Sequence, residues 1–556
     1  MTGFATMRGM IFVIIVLGFI SGIAAPCVGS PFSTFWATYG ESGSLGAASI
    51  TEAADGGYFA AGGIFSSQTD SVDVWVIRLD GNGKVLWEKT YGGTGDDYAN
   101  AVRPTTDGGC IIAGYTQSFG AGSYDAWVIK LKADGSLGWQ NAYGGDGYDY
   151  ASSVEPTADG GYVVAGGTDS FGSGQTDLWV IKVDGTGAIL WQKTFGGTAV
   201  ETAVSVRPTS DLGFVVVGGT QSSGEGDFDF LVLKLDANGS LVWQKTFGGA
   251  DYDFASSVRE TVGGGYIVVG ETRSFGAGDY DLLILQLDAG GNIVWQKTIG
   301  GTSGDHAYSV EISSDDGGSV VAGGTNSQGK GDYDLLLLKL DASGAILWQK
   351  TFGGTGYDLG HSIEATSDGG YVVAGETRSF GTGDYDFFIL KLDGSGNLAG
   401  TCSGISSQST LRTASALSNA ASGALTEANS SATVTPTAAI VHATAAMTQS
   451  CLYNVNTLTL TSPNGGESWA AGSTQSIKWS YTGNPGTTVK IELIKGAGTP
   501  TSIARSTAVG TSGTGSYAWK IPTTFTPGTD YRVQITSTTY AFATDTSAEF
   551  TVNWMH

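Results

Sequence analysis

The sequence predicts an all-β protein: a seven-bladed β-propeller followed by a C-terminal immunoglobulin-like β-sandwich. Three observations carry that expectation. Glycine supplies 88 of 556 residues and charged residues only 14 %, while hydrophobic residues reach 41 %. That balance fits short strands joined by many tight turns and excludes global disorder. Tryptophan recurs at Trp36, Trp87, Trp139, Trp191, Trp243, Trp295 and Trp348, at spacings of 51, 52, 52, 52, 52 and 53 residues. Each copy holds four strand-like runs divided by turn residues, and no run suits a helix of useful length.

Residues 1–30 read as a secretory signal. Arg8 gives the positive start, 10–20 the apolar run, and 21–25 small residues. The apolar run is too short to span a bilayer comfortably. The mature chain is therefore expected to be secreted, with no integral membrane span after cleavage. A net charge of −25 argues against a nucleic-acid partner. The acid is concentrated: residues 456–556 carry +1 and the remainder −26. Such a surface favours neutral glycans, cationic surfaces or divalent ions.

The repeats, of about 52 residues, occupy 31–400. In the third copy the strands are expected at 151–156, 161–166, 177–183 and 188–194. The seventh copy has its third strand at 386–393 but no Trp-bearing fourth strand after it. Residues 35–39 can supply that strand from the chain start, closing a ring and removing an open edge. An open solenoid is the rival; it would use fewer antiparallel hairpins and distinct capping repeats.

The turn Leu79-Asp80-Gly81-Asn82-Gly83-Lys84-Val85-Leu86-Trp87 resembles the tryptophan-docking motif of quinoprotein-type (PQQ-like) propellers. Ala165-Gly166-Gly167 is similar to the double glycine of kelch repeats. The resemblance implies a tryptophan packed between adjacent blades, so the seven tryptophans are read as structural. It implies no cofactor, because the eight blades and vicinal cysteine pair of quinoprotein dehydrogenases are absent.

A residue present in every blade occupies symmetry-related places and is structural by default. Asp97, Asp149, Glu201, Asp253, Asp305 and Asp358, one after each Gly-Gly turn, are read as turn-binding carboxylates. A second set, Asp227/Asp229, Asp279/Asp281, Asp332/Asp334 and Asp384/Asp386, places two acids at i and i+2. In an extended chain these share a face, so they are the calcium candidates. The competing reading is solvated loop acids with one turn-capping Asp. Cys402 and Cys451 form the disulfide candidate, worth roughly 4 kcal/mol if closed. Cys110 reads as a buried thiol. His306 and His361 lie in separate blades, and His442 and His556 lie outside the repeats, so histidine offers no catalytic handle. Catalytic residues stay unknown.

Residues 401–455 are rich in Ser, Thr and Ala and read as an extended stalk or a surface-hugging linker. Residues 456–553 show strand runs at 458–460, 476–479, 488–494, 515–521, 531–537 and 548–552. Trp469, Trp479 and Trp519 are the core candidates. The phrases Ser462-Pro463-Asn464-Gly465-Gly466-Glu467-Ser468-Trp469, Ile477-Lys478-Trp479 and Gly515-Ser516-Tyr517-Ala518-Trp519-Lys520-Ile521-Pro522 carry a resemblance, with Tyr531-Arg532-Val533-Gln534-Ile535 and Asp545-Thr546-Ser547. They resemble the N-terminal immunoglobulin-like domain of the yeast cell-wall glucan-synthesis family, the Ser-Thr-rich GPI-anchored membrane family. That implies a cell-envelope or extracellular accessory module. The expectation is a monomeric extracellular or cell-surface binding or adhesion protein, not an enzyme. Its partner is a cell-surface glycan or protein, and the propeller is the platform. The alternatives are a propeller glycoside hydrolase or polysaccharide lyase, and a structural component of the envelope.

Overall fold

The structure is a computed structural model. It describes residues 34–40, 44–66, 70–313, 316–380, 385–398, 457–482, 487–496, 498–511, 513–538 and 544–553, and the short strands 412–414, 426–428, 433–436 and 440–442. The expected signal, Cys402, Cys451 and Asp384 lie outside the described residues. Among the described residues there are strands and no helix. The chain divides into two compact units, one holding the repeats and the other residues 452–556.

Among the described residues the repeat unit contains seven antiparallel sheets in the propeller-like pattern, each built on four strands, and four of them carry a short fifth strand. We number the blades in chain order and letter their strands a to d from the axis outward. Blade 2, for example, is Asp97–Pro104, Cys110–Thr116, Asp125–Leu131 and Leu137–Gly144. Strand c is buried along its whole length in five of the sheets, as in Asp229–Leu235 and Asp334–Leu340, and at all but one residue in the other two. Both of its faces are covered by neighbouring blades, so its sequence runs apolar rather than alternating. The cores therefore lie between blades. Val163 and Val180 of blade 3 pack with Val216 and Leu233 of blade 4 in one cluster.

The junctions repeat as well. Each outer-strand tryptophan lies on a glycine in the c–d turn of the next blade. A Cβ at Gly239 would sit 2.6 Å from Trp191, and one at Gly291 2.9 Å from Trp243. These glycines have φ of +77° and +76°, which only glycine adopts without strain. Trp87 Nε1 donates to the Ala133 carbonyl at 3.0 Å, and Trp139 Nε1 to that of Gly185 at 3.0 Å.

The last sheet is completed from the chain start. Phe35–Tyr39 runs antiparallel to Asp386–Leu392, with Phe35 opposite Lys391 and Trp36 opposite Leu390. Blade 7 packs on blade 1, where Glu52 N donates to Glu364 at 2.6 Å and Ser367 N to Glu52 at 2.6 Å. One assignment is corrected here. Trp87 faces Arg78 and Trp348 faces Lys339, the position of Lys391 in blade 7. Phe35, not Trp36, therefore occupies the docking position, with its ring 2.6 Å from where a Gly83 Cβ would lie. A slip of one residue turns a strand side chain to the opposite face. Trp36 is buried on that other face against Phe380 and Phe388, with ring centroids 5.1 and 6.1 Å away.

The Ser/Thr/Ala-rich segment hugs the ring where it is described. Its short strands add to the outer edges of blades 5, 3, 2 and 1.

The C-terminal unit is a two-sheet sandwich. Thr457–Ser462, Thr474–Thr482 and Thr514–Lys520 form one sheet. Ser468–Ala470, Phe550–Asn553, Gly528–Ser537, Thr488–Lys495 and Thr501–Ala508 form the other, with Thr544–Thr546 paired to Gly528–Ser537. Trp469, Trp479 and Trp519 all lie in its core, and Trp479 Nε1 donates to the Val509 carbonyl at 2.8 Å. The sequence reading missed Ser468–Ala470, Thr501–Ala508 and Thr544–Thr546. Thr501–Ala508 is polar and half-exposed with no clean alternation, so period two gives no signal there.

Candidate functional site

Strand a of every sheet faces the axis, and its residues form four levels. Each strand a carries a β-bulge at the same place, for example between Ala99 and Ala101 and between Ala307 and Ser309. A bulge re-aims the extra side chain, here toward the axis. The seven bulge residues are Ala48, Asn100, Ser152, Val204, Ser256, Tyr308 and His361, and all line one cavity of about 650 Å³.

On one side of the bulge level lies a serine level. Ser49 Oγ accepts from Val102 N at 3.2 Å, Ser257 Oγ from Val310 N at 3.3 Å, and Ser309 Oγ from Ile363 N at 3.2 Å. These bonds tie strand a to the next at those junctions, while blade 2 places Ala101 at this level. Beyond it lies a charged level of Arg103, Glu155, Arg207, Arg259, Glu311 and Glu364. Arg103 Nε meets Glu155 at 2.6 Å, Arg207 also reaches Glu155, and Arg259 meets Glu311 at 2.8 Å. Glu364 accepts from Thr51 Oγ1 at 3.1 Å. Burial pulls the Arg103 and Arg207 guanidinium pKa values down. Burial alone would raise Glu311, but Arg259 beside it holds the carboxyl below its usual range. Burial raises Glu364. The six groups balance in charge and are largely paired, so this level is structural.

The opposite side of the bulge level is aromatic. Tyr98 and Tyr115 stack at 5.9 Å, and Tyr115, Tyr124, Tyr148 and Tyr150 follow at 5.0–5.4 Å. Around the other flank, Phe254, Tyr252, Tyr280, His306, Tyr333 and Tyr357 follow one another at 5.2–5.9 Å. The belt is interrupted where blades 3 and 4 place Thr176, Val200 and Thr202 instead of aromatics. Burial raises the phenol pKa values of Tyr98, Tyr252 and Tyr308, and pushes Tyr115 up to about 12. These phenols remain protonated and available as donors at neutral pH.

Two histidines, expected to be unrelated, come close together: His361 lines the cavity, and His306 packs behind it against the lining residues Glu271 and Tyr308. His306 bonds Glu271 through Nδ1, and its Nε2 lies 3.2 Å from Tyr333 Oη. Its ring stacks on Tyr308 at 5.8 Å, and Tyr308 lies 5.3 Å from His361. His361 Nε2 lies 3.7 Å from Glu376. Adjacent blades bring strand-a residues together at the axis whatever their separation in sequence. The signal was present as a repeat column that varies: the residue two after Asp-aromatic in each strand a.

The calcium candidates split. Asp227, Asp279 and Asp332 are exposed, whereas Asp229, Asp281, Asp334 and Asp386 are buried. The first acid of each described pair sits in the loop, because strand c begins only at the second. The i, i+2 face rule therefore does not bring the two together. Asp227 accepts instead from Gln221 at 2.9 Å, and Asp279 pairs with Arg273 at 3.2 Å. The buried acid faces the turn acid of the next blade across a glycine, as Asp229 and Asp253 do at Gly248. Those turn acids accept from backbone: Gly93 N to Asp97 at 2.8 Å, Gly197 N to Glu201 at 2.6 Å, Gly354 N to Asp358 at 2.9 Å. Among the described residues, no three His, Cys, Asp or Glu side chains converge as a metal site. Cys110 is a free buried thiol, its pKa pushed up to about 12 by burial.

Two family models match the chain. Residues 124–330 match the PQQ-type model described as outer membrane protein assembly factor BamB. Residues 462–552 match the Kre9/KNH-like N-terminal Ig-like domain. The comparison with curated proteins found no match. PQQ-like propeller repeats followed by a Kre9/KNH-like domain fit a cell-envelope protein. Among the described residues no helix is long and apolar enough to cross a membrane.

Proposed function

We propose that this chain is a secreted or cell-surface binding protein of the envelope, with a neutral glycan captured in the axial cavity. The observation that carries the reading is the cavity wall itself: tyrosine rings and hydroxyls around the mouth, with a paired Arg/Glu level behind. A pyranose has apolar C–H faces and a hydroxyl rim. The rings of Tyr98, Tyr150 and Tyr308 suit the faces, and Asn100, Ser152 and Ser256 suit the hydroxyls. Among the cavity-lining residues, Glu271 is the one carboxylate not engaged in the Arg/Glu level. Capture needs no cofactor. The Kre9/KNH-like domain supports retention in the wall.

The test is a glycan array and a pull-down from cell-wall fractions, comparing the native chain with Tyr308→Ala and Tyr150→Ala. Native binding that both variants lose is the expected result. Retention on no surface component, or binding indifferent to both variants, overturns the axial reading. A second reading, an enzyme acting on a polysaccharide in the same cavity, is favoured by the Glu271–His306 and His361–Glu376 pairs as proton carriers. Release of reducing or unsaturated ends that disappears in His306→Gln selects it.

A further inference from the structure

The axial cavity has two unlike ends. Strand a of blade 2 sets its depth, with Tyr98 at the aromatic level, Asn100 at the bulge, Ala101 at the serine level and Arg103 at the charged level. From Tyr98 to Arg103 is five residue steps, one of them spent in the bulge. The wall is therefore about 13 Å deep, at about 3.3 Å per remaining step. At the aromatic end the cavity meets solvent, and Tyr148 on its rim is 36 % exposed.

The charged end is shut. Long charged side chains meet there, yet those of Arg103, Glu155, Arg207, Arg259 and Glu311 are only 11–17 % exposed. A water-filled passage through this level would solvate them. Instead they cover one another: Glu155 takes both Arg103 and Arg207, Arg259 takes Glu311, and Glu364 accepts from Glu52 N at 2.6 Å on the blade 1 side. Of these groups the cavity reaches only Arg103 and Arg207. Among the described residues this level is a floor. Threading a chain through it would part buried ion pairs and strand their charges.

We propose that the cavity seats the free end of a glycan chain and not a stretch of its interior, an inference that rests on the reading of the cavity as a glycan site. An interior stretch needs a groove or a tunnel open at both ends. A blind cup of about 650 Å³, the size of a small-molecule pocket, admits a terminus of a few sugar rings. The chemistry changes down the wall to match. Tyrosine rings at the mouth pack on the entering sugar faces. Deeper, Ser49, Ser257 and Ser309 each accept a backbone N–H from the next strand, so each hydroxyl keeps its own proton to donate into the cavity. A terminal ring carries a free hydroxyl where an interior ring carries a glycosidic bond, and this hydroxyl meets the serine level first.

Competition on a cell-wall polysaccharide fraction tests this. The full chain is bound to the immobilised fraction and displaced by the same fraction in solution, intact or partly acid-hydrolysed, at equal mass. Chains cut to about a tenth of their length carry about ten times the ends, so the hydrolysed fraction should displace at about a tenth of the mass. Equal potency per mass overturns the inference and leaves glycan capture standing, because interior stretches are then the target. No retention on the immobilised fraction removes glycan capture itself and this inference with it. The bulge level already holds Tyr308 and His361, so Ser152→Tyr or Ser256→Tyr fits there and fills the cup. Each should weaken binding of the hydrolysed fraction about tenfold or more. A variant that melts like the native chain and binds that fraction unchanged overturns the inference.

Discussion

At each of six junctions the wall of the ring places the same residues: a tryptophan on a glycine and two buried acids across another glycine. At the axis the same strands place Ala48, Asn100, Ser152, Val204, Ser256, Tyr308 and His361 at one level. A wall side chain meets the same neighbour at every junction, so the neighbour dictates it. An axial side chain meets a shared cavity, and nothing in blade-to-blade packing dictates it. Where the wall does change, it changes in pairs. Buried Lys130, Lys182, Lys234, Lys339 and Lys391 each bridge an Asp of strand b's preceding turn, at 2.8–3.0 Å. Blade 5 has Gln286 in place of the lysine and Gly263 in place of the aspartate. A buried ammonium without its partner is costly, so both left together.

The largest expected effect breaks the wall. Deleting residues 31–40 removes Phe35, Trp36 and Tyr39, all buried, and opens the edge of Asp386–Leu392. One lost buried aromatic costs about 3–5 kcal/mol, and the deletion should cost more. Thermal melting and light scattering should show a lower Tm and aggregation. A deletion that melts like the full chain would refute closure.

Next come single substitutions that separate wall from axis. Trp243→Ala should lower stability by about 2–3 kcal/mol, less than a fully buried tryptophan because the ring is half-buried, and leave glycan binding intact. Tyr308→Ala should cost less stability and weaken binding tenfold or more, on the order of 1.4 kcal/mol or above. Calorimetry on both variants reads both quantities. If the two behave alike, the division between wall and axis fails.

The wall should also respond to pH. Burial, with the neighbouring Asp253, pushes Asp229 up to about 7, and burial pushes Asp177 and Asp281 up to about 6. Their folded values exceed the unfolded value near 3.9, so the folded state binds more protons between pH 4 and 7. Stability should fall as pH rises through that window. Asp107, Asp159 and Asp211 are pulled the other way, to about 2: burial opposes, but their lysine, threonine and backbone bonds win. Their contribution is present above about pH 4 and lost as pH falls toward 2. These three carboxylates are more than half exposed, so their share is small. Tm should peak near pH 4 and drop between about pH 4 and 7, by about 1–2 kcal/mol in stability. Asp229→Asn should shrink the drop above pH 6. An unchanged drop in that variant would show the acid pair is not its source.

The wall was legible because repetition shows it: the Trp series, the Asp-Gly turns and the Gly-Gly acids all recur at one period. The axis was not, because a varying column looks like noise until the bulge turns it inward. His361 stands in that bulge column and His306 in a different one, directly after the turn acid Asp305, so the repeat period does not relate them. The shared-face argument for the acid pairs does not hold for a local cause, since strand c starts at Asp229 and leaves Asp227 in the loop. The C-terminal tryptophans were legible as a core, while polar Thr501–Ala508 carried no period to read.

The smallest effect concerns the one junction that differs. The first tryptophan interval is 51 residues where its four successors are 52, and Phe35 to Trp87 is 52. That missing residue already placed Phe35, rather than Trp36, at the docking position. Phe35→Trp therefore restores the common junction. The larger ring covers more of Gly83, and its Nε1 points toward the turn that accepts from tryptophan elsewhere, as the Ala133 carbonyl does at 3.0 Å. One added hydrogen bond and a little more burial should stabilise by about 0.5–1.5 kcal/mol. Trp36→Phe, on the other face against Phe380 and Phe388, keeps an aromatic contact and should cost under about 1.5 kcal/mol, as volume-tolerant core swaps do. A register with Trp36 on Gly83 demands the reverse: Phe35→Trp destabilising through overpacking, and Trp36→Phe losing a docking indole. Chemical denaturation of the two variants separates the registers by the sign of the Phe35→Trp effect alone.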